Sequence, residues 1–104
     1  MSSISILYTT VKSLKHAEIL AAKVIEANLA ACVNIVPGIL SFYKWGGKIG
    51  QNAECSVLMK TSNELIQKLQ ECVISIHSYD TPCILTSEVN ASEDFGRYIL
   101  DSLI

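Results

Sequence analysis

The chain has 104 residues, half of them hydrophobic and only 17% charged, with a formal charge of −2. That length fits one domain, residues 1–104, and the low charged share excludes a disordered chain, since soluble domains usually carry about 25%. The seven lysines are scattered and Arg97 is the single arginine, so the clustered basic patch of a nucleic-acid binder is missing.

ISILYTTV (4–11) is rich in β-formers and predicts a first strand. Ser13 is placed to cap a helix through LKHAEILAAKVIEANLA, in which Ala17, Leu20, Ala21, Val24, Ile25 and Leu29 recur at helical spacing. AACVNIVPGILSFYKW predicts a second, long strand with a bulge or bend at Pro37-Gly38. Gly46-Gly47 supplies the positive φ of a two-residue hairpin turn, and KIGQNAECSVLMKT returns as the third strand. Thr61 and Glu64 have capping-box spacing ahead of a second helix, with Leu65, Ile66, Leu69, Val73 and Ile76 as its buried stripe. Thr81-Pro82 forces an extended entry into a fourth strand, CILTSEV, and Asn90 or Ser92 caps a short last helix. The order β-α-β-β-α-β plus a terminal helix is that of an α+β ferredoxin-like sandwich, with both main helices on one face of the sheet.

A two-residue turn sets Trp45 opposite Lys48. Alternation then puts Val36, Leu40 and Phe42 with Ala53, Cys55, Val57 and Met59, facing the helices. The other face carries Tyr43, Trp45, Lys48, Glu54, Ser56, Leu58 and Lys60, with Ile35 and Val33 further back. A bulge at Pro37-Gly38 would shift the register of those last two. Large apolar side chains on an uncovered face forgo about 1.5–3 kcal/mol each, and so long a hairpin must overhang its short neighbours. These two features predict a homo-oligomer joined through the hairpin.

Chemistry is harder to read. Glu93-Asp94 sits in the first turn of the last helix, where acidic groups complement the dipole. His16 faces solvent by its spacing. His77 lies in the polar loop HSYDTP beside Tyr79, Asp80 and Thr81, but no spacing resembles a closed zinc site. Cys32, Cys55, Cys72 and Cys83 form no C-x-x-C pair and read as buried, reduced thiols rather than a disulfide framework, which suggests the cytoplasm. No apolar run reaches the ~20 residues of a membrane span, and no signal peptide is evident. Glu54 and Lys60 fit either an ordinary cross-strand ion pair or the wall of a cleft beside Trp45. An acylphosphatase-like enzyme would need an arginine near the first strand, and an RNA-binding module needs aromatics in the middle strands, which CSVLMKT lacks. A small-ligand or ion-responsive oligomer remains.

LAACVNIVPG (29–38), SFYKWGGKI (41–49), Glu54 within QNAECSVLMKT, and HSYDTP (77–82) stand in an order and spacing that resembles the CutA divalent-cation tolerance family over nearly the whole chain. The resemblance implies a ferredoxin-like protomer in a tight trimer, held by strand pairing of the hairpin (Tyr43, Trp45, Gly46, Gly47, Lys48) between subunits. It implies a non-enzymatic role in divalent metal tolerance with copper binding, and an architecture similar to PII signalling proteins. Residues matching the family's inter-subunit cleft are Cys32, Trp45, Glu54, Lys60, His77, Tyr79 and Thr81. Family copper ligation falls on a cysteine at the end of the first strand and a paired histidine in the loop. Those positions hold Thr9 and Ile76 here, which leaves His77. Ser78 and Cys83 replace a proline and a glutamate, and a thiol at Cys83 would favour Cu(I). The expectation is a trimer with no tightly bound cofactor, no nucleic-acid or membrane partner, and a cleft that holds copper or another divalent cation weakly, or a small anion. The alternative is a PII-like sensor for an organic ligand that acts through a partner protein.

Overall fold

In the computed structural model, which describes residues 1–103, seven elements follow one another. They are β1 (Ser2–Val11), α1 (Leu14–Glu26), β2 (Cys32–Trp45), β3 (Lys48–Thr61), α2 (Ile66–Ile76), β4 (Leu85–Ala91) and α3 (Glu93–Asp101). The four strands form one antiparallel sheet in the order β2-β3-β1-β4, the ferredoxin-like arrangement expected. No helix among the described residues is long and apolar enough to cross a membrane.

The core lies between one sheet face and helices α1 and α2. Leu7, Val57 and Met59 of the sheet meet Leu20 and Val24 of α1 and Leu69 and Val73 of α2, all essentially buried. Ser13 caps α1 as expected, its Oγ accepting from the His16 N–H at 3.2 Å. The helix stops at Glu26, earlier than its alanine content suggests. Asn28 takes a left-handed φ of 57°, and the Leu29 N–H turns back to the Val24 carbonyl at 3.0 Å, an asparagine helix terminator. Ile25, although within α1, is exposed rather than in the buried stripe of Ala17, Leu20 and Val24.

Three other expectations are corrected. The start of α2 is satisfied by Ser62, whose Oγ accepts from the Leu65 N–H at 3.2 Å; Thr61 is the buried last residue of β3 and cannot reach out to cap. The fourth strand begins at Leu85 rather than Cys83, because the chain after Pro82 joins the sheet only where Leu85 pairs with Tyr8. The sheet's second face is not left open along its length. There α3 packs on it, with Ile99 against Ile4 and Ala91. Gly96 permits this approach, since a Cβ there would collide with Ser2. Of the two candidate caps, Ser92 takes the N-cap position of α3, and Asn90 stays in β4.

The bulge at Pro37-Gly38 is real and changes the faces before it. From Trp45↔Lys48 to Ile39↔Glu54 the register is the expected one, but Val36 then pairs with Ser56 and Ile35 with Val57. Val33 and Ile35 thus pack against the main core, and Val36 turns to the opposite face. Leu40 and Phe42 keep the parity expected of them, yet are 59% and 64% exposed. They lie on the helix side of the sheet but beyond the helices. The reason is strand length: β1 ends at Val11 opposite Cys55, while β2 and β3 continue as a pair to Trp45 and Lys48. Beyond that point β3 has no sheet neighbour on its β1 side.

Two buried hydroxyls, Thr9 Oγ1 and Thr61 Oγ1, have no hydrogen-bond partner among the described residues. A buried, unpaired hydroxyl costs about 1–3 kcal/mol, and valine has nearly the same shape. Thr9→Val should therefore raise stability by about 1 kcal/mol, read as a higher urea midpoint with an unchanged slope.

Candidate functional site

Where β3 runs on without β1, the loop after α2 lies alongside it. The space between loop and hairpin is an open cleft of about 800 Å³. Tyr43, Trp45, Lys48, Glu54, Tyr79, Thr81 and Cys83, seven residues singled out from the sequence, line it together. Asp80, noted in the loop beside His77, also lines it, and Thr10, Ser41, Ile49 and Asn52 are new to the set. Alternation could have found Ser41 and Asn52, which share the face of Tyr43 and Glu54. Thr10 comes from the end of β1 and Ile49 from the opposite face of the hairpin, which only the folded shape reveals.

The hairpin wall is built on one cross-strand pair, Tyr43↔Gly50. The Tyr43 ring lies so close over Gly50 that any Cβ there would collide with it. Asn52 Nδ2 donates to the Tyr43 hydroxyl at 2.9 Å and fixes the ring from its far end. Gly46 and Gly47 turn the hairpin with φ of 56° and 76°, the left-handed pair of a type I′ turn. At the tip, Trp45 is 75% exposed and Ile49 80%.

The loop wall is positioned by His77. Its Nε2 lies 2.8 Å from the Thr10 carbonyl oxygen, and its Nδ1 accepts from the Tyr79 N–H at 3.1 Å. A carbonyl can only accept, so Nε2 carries the proton and the ring is the neutral tautomer. Both nitrogens are thus engaged with backbone, and His77 ties the loop to the end of β1. The Tyr79 ring, tilted against His77 with centroids 5.0 Å apart, reaches across the cleft. Its hydroxyl donates to Glu54 Oε2 at 2.7 Å. Burial, the hydrogen bond to Glu54 and the charge of that carboxylate together push the Tyr79 hydroxyl up to about 12.

Cys32 and Lys60 stand apart from this cleft within one protomer. Lys60 Nζ donates to Asn34 Oδ1 at 2.7 Å, lies 3.9 Å from Cys32 Sγ and sits over the Phe95 ring of α3. It forms no pair with Glu54. All four cysteines are free, as expected, but only Cys55 is buried and Cys83 is exposed. Thr9 is fully buried on the core side of β1. Ile76 and both histidines border a separate pocket of about 60 Å³, where His16 Nδ1 is 2.7 Å from Ser13 Oγ. Among the described residues, no three of His, Cys, Asp and Glu come together in a way that could hold a metal ion.

Fold and site together define a small ferredoxin-like protein whose hairpin outgrows its own sheet and borders a cleft. Residues 5–102 match the CutA1 divalent ion tolerance protein family, and the chain belongs to that family. It is 45% identical over 78 residues to the divalent-cation tolerance protein CutA of Archaeoglobus fulgidus, covering 75% of this chain and 76% of that protein. It is 37% identical over 89 residues to the chloroplastic protein CutA of Arabidopsis thaliana, covering 86% of this chain but 49% of that protein. The match thus spans about half the length of the plant relative. The crystal structure of CutA1 from Ehrlichia chaffeensis superposes with a TM-score of 0.94 at 37% identity, covering 100% of this chain and 98% of that one.

The Tyr79–Glu54 bond has a defined pH window. A hydroxyl raised from 10 to about 12 stabilises the fold while protonated, fully below pH 10, and that contribution is lost as the pH rises through 12. Ultraviolet titration should show a tyrosine ionising near pH 12 that disappears in Tyr79→Phe.

Proposed function

We propose that this divalent-cation tolerance protein works as a non-enzymatic homotrimer in the cytoplasm, with a ligand cleft at each subunit boundary. The observation that carries the assembly is the overhanging hairpin. Leu40 and Phe42 on one side and Trp45 on the other are mostly exposed, as is Ile49 at the tip. Covering such side chains returns about 1.5–3 kcal/mol each, and a second copy of the chain offers both apolar surface and open strand edges to do it. In that setting Tyr43, Trp45, Gly46, Gly47 and Lys48 form the joining element. A neighbouring subunit then closes the cleft that one protomer leaves open, and Cys32 and Lys60 face an adjoining part of the same boundary. The free thiols support a reducing compartment.

Its link to metals runs through that boundary. Copper or another divalent cation would meet His77, the one family ligand this chain retains, and the exposed thiol of Cys83, which stands in place of a glutamate. One protomer does not provide a finished site for it. His77 would have to give up one of its backbone partners, Cys83 lines the cleft without it, and among the described residues no three candidate ligands come together. That geometry supports a reading of weak binding, in which tolerance depends on something other than sequestration by a built-in metal centre. A PII-like sensor is the second reading, favoured by the size of the cleft: about 800 Å³ suits a small organic molecule, whose sites run about 300–1,000 Å³.

Light scattering at micromolar concentration should give three times the chain mass of 11.4 kDa, and a monomer would overturn the assembly. Trp45→Ala should shift the assembly towards smaller species. Calorimetry with copper, zinc and a panel of nucleotides separates the two readings of the cleft. Weak copper heat abolished in His77→Ala supports the metal, and nucleotide heat without metal heat supports the sensor.

A further inference from the structure

We propose that the cleft between the hairpin and the 78–83 loop selects an organic cation, an ammonium group carried on a small apolar body. The inference rests on the reading of this cleft as a ligand site and adds the chemistry that the site prefers. It replaces the small anion expected from the sequence.

Charge is the first reason. Two carboxylates, Glu54 and Asp80, line the cleft against one ammonium, Lys48. No lysine or arginine neutralises Glu54; the one ion pair among the described residues joins the N-terminus to Glu93. Glu54 spends Oε2 on the Tyr79 hydroxyl and keeps Oε1 for another donor. Tyr79 resists ionisation up to about 12 through its burial, its hydrogen bond to Glu54 and, further, the repulsion of that carboxylate for a second negative charge. An anionic guest would meet the same repulsion.

The second reason is the aromatic wall. Tyr43, Trp45 and Tyr79 all border the cleft, and the electron-rich faces of such rings attract cations. Tyr43 is held in place by Gly50 beneath it and Asn52 at its hydroxyl, so this surface is formed before a ligand arrives. Coordination is the third reason. A bare metal ion wants several ligands at fixed distances, and among the described residues no three candidate ligands converge. An ammonium group needs only a carboxylate and a ring.

Trp45 is the only tryptophan of the chain, so its fluorescence reports on this cleft. The full chain is titrated at constant ionic strength with choline, with 3,3-dimethylbutan-1-ol as its uncharged isostere, and with acetate. Choline should produce a saturable change, and the isostere should bind at least about tenfold more weakly. Glu54→Gln should weaken choline to a similar degree. Asp80→Asn, followed through line broadening of the choline methyl signal, gives a second variant and a readout independent of Trp45. Equal binding of the isostere, tighter binding of acetate, or full choline affinity in both variants would overturn the proposal. If copper or a nucleotide shifts Trp45 emission and choline does not, the cation fails and the ligand site stands. If none of them does, both fail.

Discussion

The difference in strand length between β1 and its neighbour β3 governs the rest of this molecule. β1 stops at Val11, and the antiparallel pair β2–β3 goes on without it. Up to that line the sheet is an ordinary two-layer sandwich, with Leu7, Val57 and Met59 fully buried beneath two helices. Past it, the same alternation of apolar and polar side chains continues with nothing to pack against. The exposed apolar groups of the hairpin, the free edge of β3 and the space later closed by the loop all follow from that one mismatch.

The loop after α2 answers the mismatch within the chain itself. It does not extend the sheet, since β4 begins only at Leu85. Instead His77 grips the end of β1 through the Thr10 carbonyl, and Tyr79 spans to Glu54 on β3. Two polar contacts, at 2.8 and 2.7 Å, thus bridge a gap that a longer β1 would have filled with backbone pairing, and a third at 3.1 Å within the loop ties Tyr79 to His77. The result is a wall with side-chain chemistry where a strand would have presented none. Histidine here works as a strut, and its neutral tautomer is set by the two backbone groups it touches.

Most of the fold was legible because its signals are local. Helical periodicity, the serine cap at Ser13 and the Gly46-Gly47 turn each depend on a few adjacent residues, and each appears where the sequence puts it. The failures share a different cause. Asn28 ended α1 early through a backbone conformation that composition does not reveal. Val33, Ile35 and Val36 exchanged faces because a bulge reverses parity, a risk visible in Pro37-Gly38 but not its outcome. Phe42 faces the side expected and is still exposed, since parity says which way a side chain points and not how far the helices extend. The site divides the same way. Trp45 and Glu54 share a strand-face pattern, whereas the meeting of Tyr79 with Glu54 depends on a loop path that only tertiary structure supplies.

The bulge at Pro37-Gly38 has a wider consequence. By adding a residue to β2 it shifts the phase between the base of the hairpin and its tip. The base answers to the core, where Ile35 and Val33 must fill space under α1. The tip answers to whatever lies outside the protomer. With the two halves out of step, the apolar positions that the core requires at the base do not dictate which face the side chains of the tip present. A continuous ladder would have bound both to one alternation. The irregularity lets a single strand serve an interior and an exterior with different side-chain parities.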